Sequence, residues 1–133
     1  MIQKKNKDIL INYRLEQAKN TIAEVTVLIK TDLLNVAVNR IYYGIFYSLN
    51  ALALKYEFQS SKHLQLIGWF NKTFIKSGQI DIKYGRILRD AFKNRSDGDY
   101  VPFVSFQKDD ILEMQADMTE FITYIDSFIR NKQ

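Results

Sequence analysis

Apolar residues recur along the chain at the three- and four-residue steps of an α-helix, and two stretches show this pattern clearly. The first stretch carries the stripe Ile11, Leu15, Ala18, Ile22, Val25 and Ile29. The second, near the C-terminus, carries the stripe Ile111, Met114, Met118, Phe121, Ile125 and Phe128. Each stripe predicts a helix with one buried face, and we find no convincing strand alternation in the sequence.

The segment 33–56 is apolar nearly all round, with few strongly polar residues. A helix of this kind lies at the centre of a bundle or between two bundles, and Asp32 is its predicted N-cap. A third helix is predicted to begin near Ser60 or Ser61 and to end at Gly78, because glycine commonly closes a helix C-terminus.

Two more segments complete the predicted fold. A fourth helix is expected over about 82–94, followed by a break at 95–102 that is rich in turn-forming residues. Ser105 is the predicted cap of the last helix. Since 133 residues match the size of one domain, we predict a single all-α domain over 1–133, an up-and-down bundle of about five helices.

Composition excludes several classes of chemistry. The chain has no cysteine and one histidine, His63, which excludes disulfides, thiolate metal sites and a cysteine nucleophile. It contains no glycine-rich phosphate loop and no paired-histidine metal motif, so we predict neither a metal nor a cofactor. No apolar run reaches the ~18 residues of a membrane span, and the N-terminal residues do not resemble a signal peptide. We therefore expect a cytoplasmic protein without membrane contact.

The net charge of +4 conceals a strong asymmetry along the chain. Residues 62–95 hold eight basic and two acidic residues, a net charge of +6, whereas residues 97–126 hold one basic and eight acidic residues, a net charge of −7. This distribution fits a basic face that binds a polyanion, and it equally fits two helices that pair along their solvated edges.

One set of polar residues with possible chemistry interrupts the apolar second helix. Asn35, Asn39, Tyr43 and Asn50 fall roughly on one side of it, with Arg40 beside them. Because burial of an amide or guanidinium group without a partner costs several kcal/mol, these groups must meet partners. They either line a ligand site or form a hydrogen-bond network that fixes the register of the bundle.

A second set lies in the segment 95–100, which places a cation, two carboxylates and a phenol just after the predicted fourth helix. The planar guanidinium of Arg95 suits a phosphate group, because it can donate to two oxygens at once. Asp99 can orient this guanidinium or accept a proton, and Tyr100 can donate a hydrogen bond. The same residue types also suit a solvated turn.

Three motifs, in the same order along the chain, resemble a known family. Residues 39–47, Asn-Arg-Ile-Tyr-Tyr-Gly-Ile-Phe-Tyr, are similar to the central-helix signature of HEPN domains, the small helical bundles of prokaryotic defence and toxin–antitoxin modules. The run 62–78 resembles the third-helix pattern of one uncharacterised HEPN branch. Arg95-x-x-x-Asp99-Tyr100 resembles the Arg-x-x-x-Asp-Tyr motif of that branch, so the likeness covers nearly the whole chain.

The resemblance implies a homodimer in which the fourth-helix motifs of both subunits face one cleft. Active HEPN proteins are metal-independent ribonucleases that use an arginine and, four to six residues later, a histidine. The arginine binds the scissile phosphate, and the histidine helps to activate the ribose 2′-hydroxyl. Many are encoded beside a minimal nucleotidyltransferase that acts as antitoxin, and some of these partners adenylylate a tyrosine close to the motif.

This chain departs from that pattern at the histidine, because Tyr100 stands in its place. A phenol has an ordinary pKa of about 10 and is a poor general base at neutral pH. The departure favours a binding subunit that holds nucleotide or RNA around Arg95 and works with a minimal nucleotidyltransferase. Asn39, Arg40, Tyr43 and His63 are the other candidate ligand-binding residues.

Two other functions stay open. One is an active ribonuclease toxin with Arg95, Asp99 and Tyr100 as its catalytic residues, and the other is a helical scaffold without a ligand. The apolar second helix also exceeds what a single small bundle easily covers, which predicts a two-fold homodimer.

Overall fold

The computed structural model describes residues 3–131 and shows an all-α bundle in that range, as the sequence predicts. The helices are α1 Lys4–Lys30, α2 Leu34–Lys55, α3 His63–Phe70, α4 Ile82–Tyr100 and α5 Lys108–Asn131. A single π-helical turn, Asn71–Ile75, continues α3. None of the helices among these residues combines the length and the apolar character needed to cross a bilayer.

Helix α2 lies at the centre of the bundle, packed against α1, α4 and α5. Its side chains Tyr42, Leu49 and Leu52 are fully buried, which explains why the segment is apolar nearly all round. One chain therefore covers most of α2 by itself, with Val36 near its start still 48% exposed, so the apolar surface of this helix gives little support to a homodimer. The homodimer stays a prediction and needs support from other surfaces.

Helix α4 is longer than predicted, because the expected break at 95–102 is helical through Tyr100. Two ion pairs at the i,i+4 spacing stabilise this last part, Lys93 with Asp97 at 2.6 Å and Arg95 with Asp99 at 3.0 Å. Because Gly98 has no side chain, the ring of Phe106 in the following segment can pack closely against the helix there.

Two predicted caps are wrong. Asp32 has a positive φ of 59° and precedes Leu33, the residue that caps α2, while its carboxylate accepts from Lys108 Nζ at 2.9 Å. Ser105 lies three residues before the start of α5, whose first turn instead carries two acidic residues that suit a helix N-terminus. Gly78 adopts the left-handed φ of 82° expected of a residue that ends a helical segment.

The opposite charges of 62–95 and 97–126 meet across two helices at one point. Lys83 of α4 contacts Glu120 of α5 at 2.5 Å, and the Tyr84 hydroxyl donates to the same carboxylate at 3.2 Å. The ion pairs of Asp90 lie within α4, with Arg86 at 3.5 Å and Arg89 at 3.3 Å. The basic side chains of α4 are thus partly neutralised on their own helix.

Candidate functional site

Arg95, in the last turns of α4, is the centre of the candidate site. Its side chain is only 17% exposed, and its Nη2 donates to the Tyr43 hydroxyl of α2 at 3.1 Å. Its Nε lies 3.0 Å from Asp99 Oδ2 and is buried, but it makes no aligned hydrogen bond with a described residue. The ion pair therefore orients the guanidinium by charge, and the tyrosine fixes one of its N–H groups.

Three aromatic rings surround this guanidinium. Arg95 Cζ lies 5.6 Å from the ring centroid of Tyr42, 5.4 Å from that of Tyr43 and 5.8 Å from that of Tyr100. These distances allow cation–π attraction, which holds a cation in place while leaving its edge free to donate hydrogen bonds. Tyr42 is fully buried, whereas Tyr100 is 71% exposed and forms the outer rim of the site.

Polar residues of α2 reach the same part of α4. Asn39 Nδ2 donates to Asp99 Oδ2 at 3.1 Å, so one carboxylate oxygen faces both the amide and the guanidinium. Asn35 Nδ2 donates to the carbonyl oxygen of Val104 at 3.4 Å, just beyond α4. These contacts form a hydrogen-bond network that ties α2 to α4 and places Asn39 and Tyr43 beside Arg95, while a ligand site at this position stays a prediction.

Arg40 lies next to this cluster but pairs elsewhere. Its Nη2 contacts Glu24 Oε1 of α1 at 3.3 Å, and its Cζ lies 5.9 Å from the ring centroids of both Tyr43 and Tyr47. Burial acts to lower the pKa of Arg40, but hydrogen bonds and charge interactions with Tyr47 and Glu24 outweigh burial and raise it. Arg40 is thus a second cation close to the Tyr43 ring, which Arg95 also approaches.

The fold brings His63 to the Arg95 cluster, which its sequence position does not reveal. The imidazole stacks on Phe46 with centroids 3.9 Å apart, and its Nδ1 lies 2.7 Å from the Tyr42 hydroxyl. It also contacts the edge of Tyr43, whose hydroxyl binds Arg95. Burial and the nearby positive charge of Arg95 lower the pKa of His63, which favours a neutral imidazole at neutral pH.

We predict a pH-dependent stability from this neutral imidazole. Because the folded pKa of His63 is lowered, the unfolded chain takes up a proton first as the pH falls. The contribution of the neutral His63 imidazole to the stability of the fold is complete above about pH 6.5, the ordinary histidine pKa. This contribution is lost as the pH falls through the lower pKa that His63 has in the folded chain. Urea denaturation from pH 7.5 to 5 should show a steeper loss of stability in the natural protein than in His63→Gln. Equal pH slopes for the two proteins would contradict the prediction.

Four of the candidate residues predicted from the sequence form one polar cluster, and Tyr100 lies beside it. Arg95, Asp99, Asn39 and Tyr43 are joined by direct polar contacts, and Tyr100 packs its ring beside the guanidinium. Sequence reasoning missed Tyr42, which contacts both His63 and Arg95 from the centre of the bundle. The place of Tyr42 within the motif 39–47 points to a role at the site. However, this helix carries several other tyrosines and phenylalanines, and the sequence does not distinguish Tyr42 from them.

The site offers a guanidinium cation and several hydrogen-bonding groups. Within residues 3–131, no group of three or more histidine, cysteine, aspartate or glutamate side chains is placed to hold a metal ion. Burial raises the pKa of Tyr42 well above its ordinary value, so its hydroxyl stays protonated and serves as a hydrogen-bonding group.

The all-α bundle is the fold that the sequence resemblance implies. The chain belongs to the HEPN domain family, whose profile matches residues 11–128. It is 30% identical over 125 residues to a "UPF0332 protein" of Thermotoga maritima, covering 94% of this chain and 95% of the relative.

Two relatives from Methanocaldococcus jannaschii are named "Putative toxin". One is 35% identical over 97 residues, 71% of this chain and 72% of the relative. The other is 29% identical over 96 residues, 72% of this chain and 65% of the relative. The chain is therefore a HEPN protein similar to proteins named as toxins.

Proposed function

We propose that this protein is the HEPN subunit of a toxin–antitoxin or defence module and that it binds the phosphate groups of nucleotide or RNA in a cleft around Arg95. The observation that carries the proposal is the preorganised guanidinium of Arg95, held between Asp99 and the Tyr43 hydroxyl and flanked by three aromatic rings. A fixed, planar cation suits a phosphate that has two accessible oxygens.

The surroundings of Arg95 support a nucleic-acid ligand over a simple anion. Tyr100 presents an exposed ring beside the guanidinium, and aromatic rings stack on unpaired bases whatever their sequence. Arg40, paired with Glu24, adds a second cation close to the Tyr43 ring. A phosphate at Arg95 with its base on Tyr100 is an arrangement that single-stranded RNA provides.

The binding proposal is tested by fluorescence anisotropy with a labelled single-stranded RNA at several salt concentrations. We expect the affinity to fall as salt rises, because phosphate contacts release counterions from the RNA. An unlabelled mononucleotide should compete, since it supplies the same phosphate and base. Absence of RNA and mononucleotide binding by folded protein would favour the scaffold function.

A second function, metal-independent RNA cleavage, is favoured by the position of His63. In such a reaction a base removes the proton of the ribose 2′-hydroxyl, the oxygen attacks phosphorus, and the 5′-oxygen leaves with a proton. If the Nδ1–H of His63 donates to the Tyr42 oxygen, its Nε2 is free to accept a proton. Asp99 and Tyr100 are the other candidate catalytic residues, with Arg95 on the scissile phosphate.

Cleavage is tested by incubating the protein with total RNA and with transfer RNA, in the presence and absence of EDTA. If the protein is a ribonuclease, EDTA should leave cleavage unchanged, Arg95→Ala should abolish it, and His63→Gln should reduce it at least about tenfold. Cleavage that survives in Arg95→Ala would assign the activity to a contaminant or to another site.

We include two partners in the proposal. One is a second copy of this chain, and the other is a minimal nucleotidyltransferase, in keeping with the resemblance of the motif set to such modules and with relatives named as toxins. Tyr100 is accessible enough for adenylylation, being mostly exposed at the rim of the site. Incubation with a minimal nucleotidyltransferase and ATP should then add AMP to the natural protein and not to Tyr100→Phe, as read by intact mass.

A further inference from the structure

A groove of about 390 Å³ separates α3 and the π-helical turn from the first half of α4. Its lining is largely apolar and includes the half-buried side chains of Ile67, Ile75 and Phe92. Leu64 and Ile82 also line it and are 68% and 76% exposed. Because ligand-binding clefts are concave and mostly apolar, this groove is a second candidate binding surface beside the Arg95 cluster.

The groove begins at the Arg95 cluster. Phe92 lines the groove, and its ring centroid lies 5.6 Å from that of Tyr42, the buried tyrosine that faces Arg95. Leu64 of the lining directly follows His63, whose Nδ1 lies 2.7 Å from the Tyr42 hydroxyl. A chain molecule held at Arg95 can therefore continue into the groove between α3 and α4.

The α3 wall of the groove is positively charged. Residues 58–80 contain three lysines and no acidic residue. These lysines, Lys62, Lys72 and Lys76, are exposed, and none of them pairs with a carboxylate of a described residue. Lys72 directly follows Asn71, a residue of the groove lining. Uncompensated positive charge beside the groove favours a ligand that carries several negative charges.

On the α4 wall, much of the positive charge is neutralised within the helix. Arg86 and Arg89 line the groove, and both contact the Asp90 carboxylate, at 3.5 and 3.3 Å. Two cations share one anion here, and the described residues that line the groove include no acid. This wall therefore does not repel a polyanion that the lysines of the other wall attract.

The lining also offers an amide and an aromatic ring. The side chain of Asn71 is half-buried in the lining and makes no hydrogen bond with a described residue. Because an amide both donates and accepts, it suits the polar edge of a nucleobase. Phe92 places its ring in the same lining, and the bases of single-stranded RNA pack on such rings. An acidic peptide matches the lysines alone, so the groove favours RNA.

We propose that the groove holds the nucleotides adjacent to the one whose phosphate lies at Arg95, with their bases on the apolar lining and their backbone beside Lys72. This inference rests on the proposed function and specifies its ligand as a single-stranded RNA of several nucleotides. Helix α3 and the π-helical turn have 8 and 5 residues, so this wall is about 20 Å long. It spans about six nucleotides at the roughly 3.4 Å spacing of a stacked strand.

The length dependence of RNA binding tests the inference. A labelled dinucleotide reaches only the Arg95 cluster, whereas an RNA of about eight nucleotides also enters the groove. We expect the natural protein to bind the longer RNA at least about tenfold more tightly. Lys72→Gln should remove much of this advantage, reduce the salt dependence by about one phosphate contact and leave dinucleotide binding unchanged.

Lys5→Gln is the matched control, because Lys5 is an exposed lysine of α1 that also pairs with no described carboxylate. This variant should bind both RNAs as the natural protein does, and equal losses in Lys5→Gln and Lys72→Gln would overturn the inference. Equal affinities of the natural protein for the two RNAs would overturn the groove and leave the Arg95 site intact. Binding of neither RNA by folded protein would reject the proposed function and the groove with it.

The absence of cysteine allows a single fluorescent label to locate the RNA. An environment-sensitive fluorophore is attached to Ile82→Cys, in the groove and 13 residues before Arg95 on α4, or to Val27→Cys on α1 as the control. We expect the longer RNA, and not the dinucleotide, to change the emission of the label at 82, with no change at 27. Unchanged emission at 82 would overturn the inference. So would a poly-glutamate peptide that produces the same change at the same concentration, because the groove would then accept any acidic chain.

Discussion

Arg95→Ala is expected to weaken the binding of single-stranded RNA or mononucleotide about 100-fold, with little change in stability. In the proposed site the variant loses a partly buried cation that would donate to phosphate, and such losses reduce affinity more than the loss of an exposed charge does. The fold should tolerate the change, because Asp99 keeps its bond from Asn39 and remains partly exposed. Fluorescence anisotropy gives the affinity, and urea denaturation gives the free energy of unfolding.

Arg95→Lys separates charge from geometry at the same position. Lysine keeps the positive charge but lacks the planar group that donates to two oxygens and packs on aromatic rings, so we expect only partial recovery of binding. Arg130→Ala is the matched control, since it removes an arginine of α5 that pairs with Asp126 and lies outside the cluster. Equal RNA affinities for the natural protein and Arg95→Ala would contradict the assignment of the site.

Gly44→Val is expected to lower the free energy of unfolding by about 3 kcal/mol or more. A Cβ at Gly44 would overlap Met118 Cε and lie 2.9 Å from Thr21 Oγ1, so α1, α2 and α5 meet at this glycine. Met118 is fully buried and has little space to move. Thr21 is held by a hydroxyl bond of 2.6 Å to the Ala18 carbonyl, so the extra methyl groups must force the helices apart.

Gly68→Ala is the matched control for this prediction. Nothing lies within 4 Å of a Cβ placed at Gly68, and the residue is within α3, where alanine is favoured over glycine by about 1 kcal/mol. Chemical denaturation should therefore show Gly68→Ala to be as stable as the natural protein or more so. A Gly44→Val protein of natural stability would show that the three helices do not approach as closely as described.

The helices follow from the sequence because their stripes are long and regular. Ile11 to Ile29 on α1 and Ile111 to Ile125 on α5 fit one helical face, and tertiary packing then buries that face. The ends are harder to predict, since local residue types compete there with long-range contacts. By residue type alone, Asp97 and Asp99 predict a turn, whereas ion pairs with their i,i+4 partners Lys93 and Arg95 favour a helix here.

The candidate site could be predicted only in part. Arg95 and Asp99 are four residues apart, so a helix through Tyr100 would have predicted their pairing. Asn39 and Tyr43 are likewise one helical turn apart on α2, which predicts a shared face. The position of His63 depends on how α3 packs against the side of α2 that carries Tyr42, and no spacing in the sequence specifies that contact.

The central claim is that RNA or nucleotide binds at Arg95, and photochemical cross-linking locates the ligand directly. A labelled single-stranded RNA is bound to the natural protein, irradiated and digested with trypsin, and the modified peptide is identified by mass spectrometry. We predict cross-links within the tryptic peptide 96–108, which contains Tyr100 next to Arg95. Arg95→Ala removes the cleavage site at 95, so the corresponding peptide of this variant is 94–108, and we predict that it carries no cross-link. Cross-links that occur only elsewhere in the chain, or that persist unchanged in Arg95→Ala, would contradict the claim.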